Sequence, residues 1–117
     1  MSSTSRGFTT LQVLRWDQPS PPPSETEAEA RLRQEGFEVF KWHDVPGAEY
    51  PSHQHHCDEC LWILVGTLKF EAEGQTLTLG PGDRLLLPKD LPHRALVPSG
   101  PTGVTYLVGQ KRCSSDD

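Results

Sequence analysis

Eleven prolines and ten glycines interrupt this 117-residue chain so often that long regular elements are excluded over most of its length. Proline withholds a backbone donor and glycine weakens the interior of any helix or strand, so the segments left between them must be short. Short segments favour strands and turns over a helical bundle, and the length fits one domain whose core needs no disulfide.

From residue 37 onward the punctuation is regular. Runs of β-forming residues at 37–43, 48–55, 59–65, 67–72, 75–79, 84–87, 93–97 and 104–108 alternate with turn formers. Glu73-Gly74 marks a tight hairpin, and Gly80-Pro81-Gly82-Asp83 a sharp bend. Apolar residues take every second place in 67–71 and 75–79, so each of those strands has one buried and one wet face. By contrast, 61–65 and 85–87 are apolar on both faces. Something must cover their outer side, either the N-terminal segment or a second copy of the chain, and a homodimer is expected on that ground.

The region before residue 37 has a different composition. Residues 8–16 carry strand formers, and the stretch 18–24 holds four prolines and reads as a linker. Ser24-Glu25-Thr26-Glu27 has capping-box spacing and opens a short helix over 25–35 that stops at Gly36. That helix is expected to face solvent with no part in the chemistry. The resulting organisation is an N-terminal strand and linker (1–24), the helix (25–36), one barrel domain (37–110) and a flexible tail (111–117).

Sixteen acidic against eleven basic residues give a formal charge of −5 and leave no basic stripe for phosphates, so nucleic acid is not an expected partner. A DNA-binding role also lacks a recognition element. No apolar run approaches the roughly 20 residues that span a bilayer, and the first ten residues lack a signal-peptide core. No membrane partner and a cytoplasmic location are expected. Cys57, Cys60 and Cys113 are odd in number and not spaced as a disulfide framework, which suits a reducing compartment.

The chemistry is concentrated around His53-Gln54-His55. Residues two apart on a strand share a face, so both imidazoles can reach one metal. Glu59 follows within a short turn, and His93 comes from a separate strand. Three imidazoles and a carboxylate suit one divalent transition metal (Fe, Mn, Ni, Zn, Co or Cu) and leave coordination positions for substrate.

These residues stand in a pattern that resembles the cupin family. Gly47, five residues to His53-x-His55, three to Glu59 and six to Gly66 reproduce the first cupin motif at each fixed position. Gly82, five residues to Pro88, and then His93 resemble the second, with Asp90 in place of its glycine and Val97 in place of its asparagine. The resemblance implies an all-β fold, a small jelly-roll barrel that is often dimeric, with His53, His55, Glu59 and His93 as metal ligands in its mouth. It implies no particular reaction.

Other groups nearby have plainer readings. Cys57-x-x-Cys60 resembles a zinc or redox pair only in spacing; Cys60 is expected to pack as a small hydrophobe and Cys57 to sit at the turn near the metal. His56 is expected exposed in a turn, and His43 at a strand end. Phe40, Trp42, Trp62 and Phe70 are large enough to line a pocket, though the core is the better place for each. Lys41, Lys69 and Arg84 have no assignable place in a pocket. The favoured function is a metal-dependent enzyme on a small molecule, of dioxygenase or isomerase type, with Glu59 also available as a catalytic base. The alternative is a non-catalytic module binding a metal or small molecule.

Overall fold

A computed structural model describes residues 7–114. Nine strands and one helix run in the order β1 (Gln12–Leu14), α1 (Glu25–Gln34), β2 (Glu38–Asp44), β3 (Glu49–His53), β4 (Asp58–Val65), β5 (Leu68–Ala72), β6 (Gln75–Leu79), β7 (Arg84–Leu87), β8 (His93–Leu96) and β9 (Val104–Lys111). The strands form two antiparallel sheets, β1-β7-β4-β9-β2 and β3-β8-β5-β6. This is the all-β jelly roll with one short helix that the strand spacing and motifs predict.

Local chemistry explains the turns. Ala72 pairs with Gln75 across Glu73-Gly74, whose φ angles of 54° and 74° are the two positive values a type I′ hairpin demands. Gly66 has φ of 88°, and a Cβ there would lie 2.2 Å from the Gly103 carbonyl oxygen, so the last glycine of the first motif is fixed by packing. Asp90, which replaces a motif glycine, holds φ at 63°. Aspartate is one of the few side chains that tolerate this region. Its amide donates to the His55 carbonyl at 2.7 Å and its carboxylate meets His56 Nδ1 at 3.2 Å. Val97, the other departure, is buried in the core.

Two apolar clusters lie on opposite sides of the larger sheet. Between the sheets, Leu61, Ile63, Leu68, Phe70, Leu85 and Val104 belong to the barrel interior. Outside, α1 lays Ala28 and Leu32, one helical turn apart, on Cys60, Trp62, Phe37 and Leu107. Full burial of a leucine such as Leu32 contributes about 1.5–3 kcal/mol. Arg84 closes this layer, its guanidinium 4.3 Å from the Trp62 ring centroid and paired with Glu35 at 2.6 Å.

Several expectations need correction. The helix is not a solvated bystander: with Phe8 it covers the doubly apolar strands, so the cover that motivated a homodimer is supplied within the chain. The strand expected over 8–16 shrinks to three residues, because only Gln12–Leu14 find partners along β7. β9 runs on to Lys111, where a tail was expected to begin, and residues 115–117 lie outside the described ones. Cys57 and Cys113 form a disulfide. Asp58 pairs with Lys111 in the β4–β9 ladder, which brings the flanking cysteines together although 56 positions separate them. That bond removes the ground for expecting a reducing compartment. Among the described residues, no helix is long and apolar enough to cross a membrane.

Candidate metal centre

His53 ends β3 and His93 opens β8, and the two are direct cross-strand partners. His55 lies past the strand end, so the strand alternation that suggested a shared face does not itself operate; a register shift between Tyr50 and His53 and the loop after it bring the ring round. One nitrogen from each of His53, His55 and His93 lies within 4.8 Å of the others. The ring centroids of His53 are 4.7 Å from His55 and 4.4 Å from His93.

Backbone carbonyls set the tautomers. His53 Nδ1 faces the Pro51 oxygen at 2.7 Å and His93 Nδ1 the Leu91 oxygen at 2.9 Å. An Nδ1–H donated to each carbonyl leaves Nε2 of both rings as the lone-pair nitrogen, the arrangement that orients metal-binding histidines. Burial pushes the His93 pKa down, opposed by the bond to Leu91 and reinforced by His53 and His55. A neutral imidazole is the form that binds a cation. Phe70 stacks on the His93 ring, with centroids 5.1 Å apart, and fixes it further. The donor set therefore fits a divalent transition metal.

Glu59 stands apart from this trio. Its carboxylate is not among the atoms grouped within 4.8 Å, yet it is buried and lines the same cavity, where Gln110 Nε2 donates to it at 2.7 Å. The cavity has a volume of about 350 Å³, and Leu61, Leu68, Phe70 and Val108 form its apolar wall.

Sequence reasoning missed four residues here. Tyr50, Tyr106 and Gln110 line the cavity. Buried Asp44 lies behind the two tyrosines, accepting from Tyr106 Oη at 2.9 Å and from Tyr50 Oη. These bonds, together with burial for Tyr106, raise both phenol pKa values, burial being the larger cause for Tyr106 and the bond to Asp44 for Tyr50. A usable signal was present: Phe40, Trp42 and Asp44 share one face of β2, and Tyr106, Val108 and Gln110 one face of β9, by simple alternation. Phe40 and Trp42 are half-exposed and line the cavity, Phe70 lines it from the buried core, and Trp62 is a core residue as expected.

The remaining candidates fall outside. His56 is exposed and meets Asp90; His43 is exposed and meets Thr105 Oγ1 at 2.9 Å. Cys57 is committed to Cys113, and Cys60 is fully buried beneath Arg84, so the C-x-x-C is neither a redox pair nor a zinc site.

The cupin domain family model matches residues 40–108, more than half of the chain, and this protein belongs to that family. The dimethylsulfoniopropionate lyase DddQ of Ruegeria pomeroyi is 44% identical over 48 residues, a match covering 40% of this chain and 24% of that one, so the chain spans about a quarter of this curated relative. The DddQ crystal structure superposes with a TM-score of 0.58 at 28% identity, covering 68% of this chain and 41% of that one. KdgF from Halomonas sp. superposes with a TM-score of 0.54 at 26% identity over 65% of this chain and 70% of its own. The polyketide cyclase RemF from Streptomyces resistomycificus, at 22% identity and a TM-score of 0.57, shares the fold.

Proposed function

We propose that this cupin is a metal-dependent enzyme that acts on a small molecule within the barrel, with His53, His55 and His93 as metal ligands. The observation that carries the reading is the meeting of three imidazole nitrogens within 4.8 Å at the wall of a cavity of about 350 Å³ that also contains a buried carboxylate. A divalent metal at the imidazoles supplies a Lewis acid for an oxygen of the substrate.

The position of Glu59 favours proton transfer, as in an isomerase or lyase, over a dioxygenase. A carboxylate held by Gln110 outside the imidazole trio keeps one oxygen for a substrate proton, which is the requirement for a general base. Its apolar surroundings limit competition from water. The partial likeness to a lyase supports the same choice. Glu59 as a fourth ligand remains the family's implication, and it would commit the oxygen that Gln110 leaves free to the metal in place of a substrate proton.

The test is elemental analysis of tag-free protein reconstituted with Fe(II), Mn(II) or Zn(II), followed by screening for turnover. The expected result is close to one ion per chain, lost in His53→Ala/His55→Ala. Full occupancy in that double variant would sink the site. Metal bound with no turnover of any tested carbonyl, hydroxy-acid or sugar-acid substrate would favour the non-catalytic module.

A further inference from the structure

The cavity mouth has a chemistry that the metal centre does not account for. Phe40, Trp42, Tyr50 and Tyr106 line it, and among the described residues no lysine or arginine does. The nearby basic groups are engaged elsewhere: Lys41 points from the opposite face of β2 to Glu25 at 3.0 Å, and Arg84 is held by Glu35 on the outer layer. Lys69 is exposed, and alternation places it on the other face of β5 from buried Phe70.

Negative charge collects behind these rings instead. Asp44, only 6% exposed, accepts hydrogen bonds from the hydroxyls of both Tyr50 and Tyr106, and Trp42 Nε1 donates to Tyr50 Oη at 3.4 Å. The hydrogen bonds link three of the four rings to one carboxylate. Glu59 is the acid in the lining itself. An anion entering here would meet the Glu59 carboxylate in the wall, with Asp44 behind the tyrosines, and, among the described residues, no lysine or arginine of the lining, whereas a cation would meet aromatic rings and a negative field. Trp42 and Phe40 are 48% and 43% exposed, large apolar surfaces left open where the cavity reaches solvent.

We propose that this mouth binds a compact methylated onium group, a quaternary ammonium or tertiary sulfonium, against Trp42, Phe40, Tyr50 and Tyr106. Methylated onium ions suit it better than a primary ammonium, because they are weakly hydrated, carry no N–H that needs an acceptor, and cover apolar wall with their methyl groups. This names the substrate class for the site above and rests on the reading of the cavity as a substrate site. An anionic end of the same molecule has only the metal centre to meet.

The test uses metal-free full-length protein and compares choline with its neutral isostere 3,3-dimethylbutan-1-ol by calorimetric titration. Cation–π attraction predicts that choline binds roughly tenfold more tightly. Trp42→Leu should erase the preference and Trp42→Phe should retain most of it; Trp42 is half-exposed, so both variants are expected to fold. Equal affinity, tighter binding of the alcohol, or no binding of either would overturn the proposal. Zinc uptake measured on the same preparations separates the two readings. Onium preference without zinc uptake removes the metal site alone, and zinc uptake without preference removes the onium site alone.

Discussion

Asp58 and Glu59 are adjacent acids on β4, both buried, and alternation sends them to opposite sides of the same sheet. Asp58 faces outward and is saturated. Its carboxylate accepts from the Phe8 amide at 3.0 Å, the Lys89 amide at 2.9 Å and Arg112 Nε at 2.8 Å, drawing the N-terminal segment, the β7–β8 loop and the end of β9 to one point. Glu59 faces inward and has the single side-chain amide of Gln110 as its protein donor among the described residues, beside an open cavity. Donor count separates the two: a fully satisfied carboxylate locks segments together, and on the proposed reading the less satisfied one keeps an oxygen for substrate.

The sharpest way to break the contrast is Asp58→Ala. Removing the acid takes away the acceptor that the Phe8 and Lys89 amides and Arg112 Nε share in a site where Asp58 is fully buried, and breaking a buried pair of this kind costs about 3–5 kcal/mol. Urea titration should show this loss, with Asp58→Asn intermediate because it keeps one acceptor oxygen. A loss under 1 kcal/mol would mean that the clamp is not what holds the N-terminal segment.

The disulfide next to Asp58 should matter somewhat less. Cys57 and Cys113 close a loop spanning 56 positions at the same corner, for which a loss of about 2–4 kcal/mol is typical on removal. Cys57→Ser/Cys113→Ser is expected to lower the urea midpoint by that amount while leaving zinc uptake by the imidazoles unchanged. Loss of zinc uptake would show that the bond also shapes the His53–His55 loop.

How far the sequence led depends on which side of β4 is considered. Inward features were legible because they obey fixed local rules: the two motifs located His53, His55 and His93, and period-two alternation located β5 and β6; on the outer side α1, announced by its capping box, was equally plain. The rest of the outward layer was obscure because it is made of long-range pairings between residues with unremarkable neighbours. Nothing near Cys57 announces Cys113, and nothing near Arg84 announces Glu35 and Trp62. The Asp44 cluster was missed for an intermediate reason. The alternation on β2 and β9 was readable, but the pairing Trp42↔Tyr106, which puts those faces together, is fixed only by the folded ladder.

Acid provides a graded version of the same comparison. Burial alone would raise the Asp58 and Asp83 pKa values, but Arg112 with two amides, and the Gly80 and Trp16 amides with Arg15, overcome it and hold both below the ordinary 3.8. A lowered folded pKa means that the contribution to stability is present above 3.8 and drains away as pH falls through the folded values. Thermal midpoints should therefore be flat from pH 7 to 5 as far as these groups are concerned and decline below pH 4. Asp58→Asn should flatten that decline. An unchanged acid slope in the variant would exclude Asp58 as a contributor.

Glu59→Gln should have the smallest effect on the fold and, on the proposed reading, a large effect on chemistry. The amide is isosteric, the Glu59 side chain keeps an oxygen that can accept from Gln110, and no arginine or lysine is left unpaired, so stability should change by about 1 kcal/mol or less. Loss of a positioned base, in contrast, typically costs about 10²–10⁴ in rate. The informative measurement is metal stoichiometry beside turnover. If Glu59 serves as base outside the imidazole trio, Glu59→Gln keeps about one ion per chain and loses activity. If it is a ligand, the variant loses metal affinity first, and restoring occupancy with excess ion restores turnover. The two results assign Glu59 to different sides of the contrast with Asp58, one to proton transfer and the other to holding a charge in place.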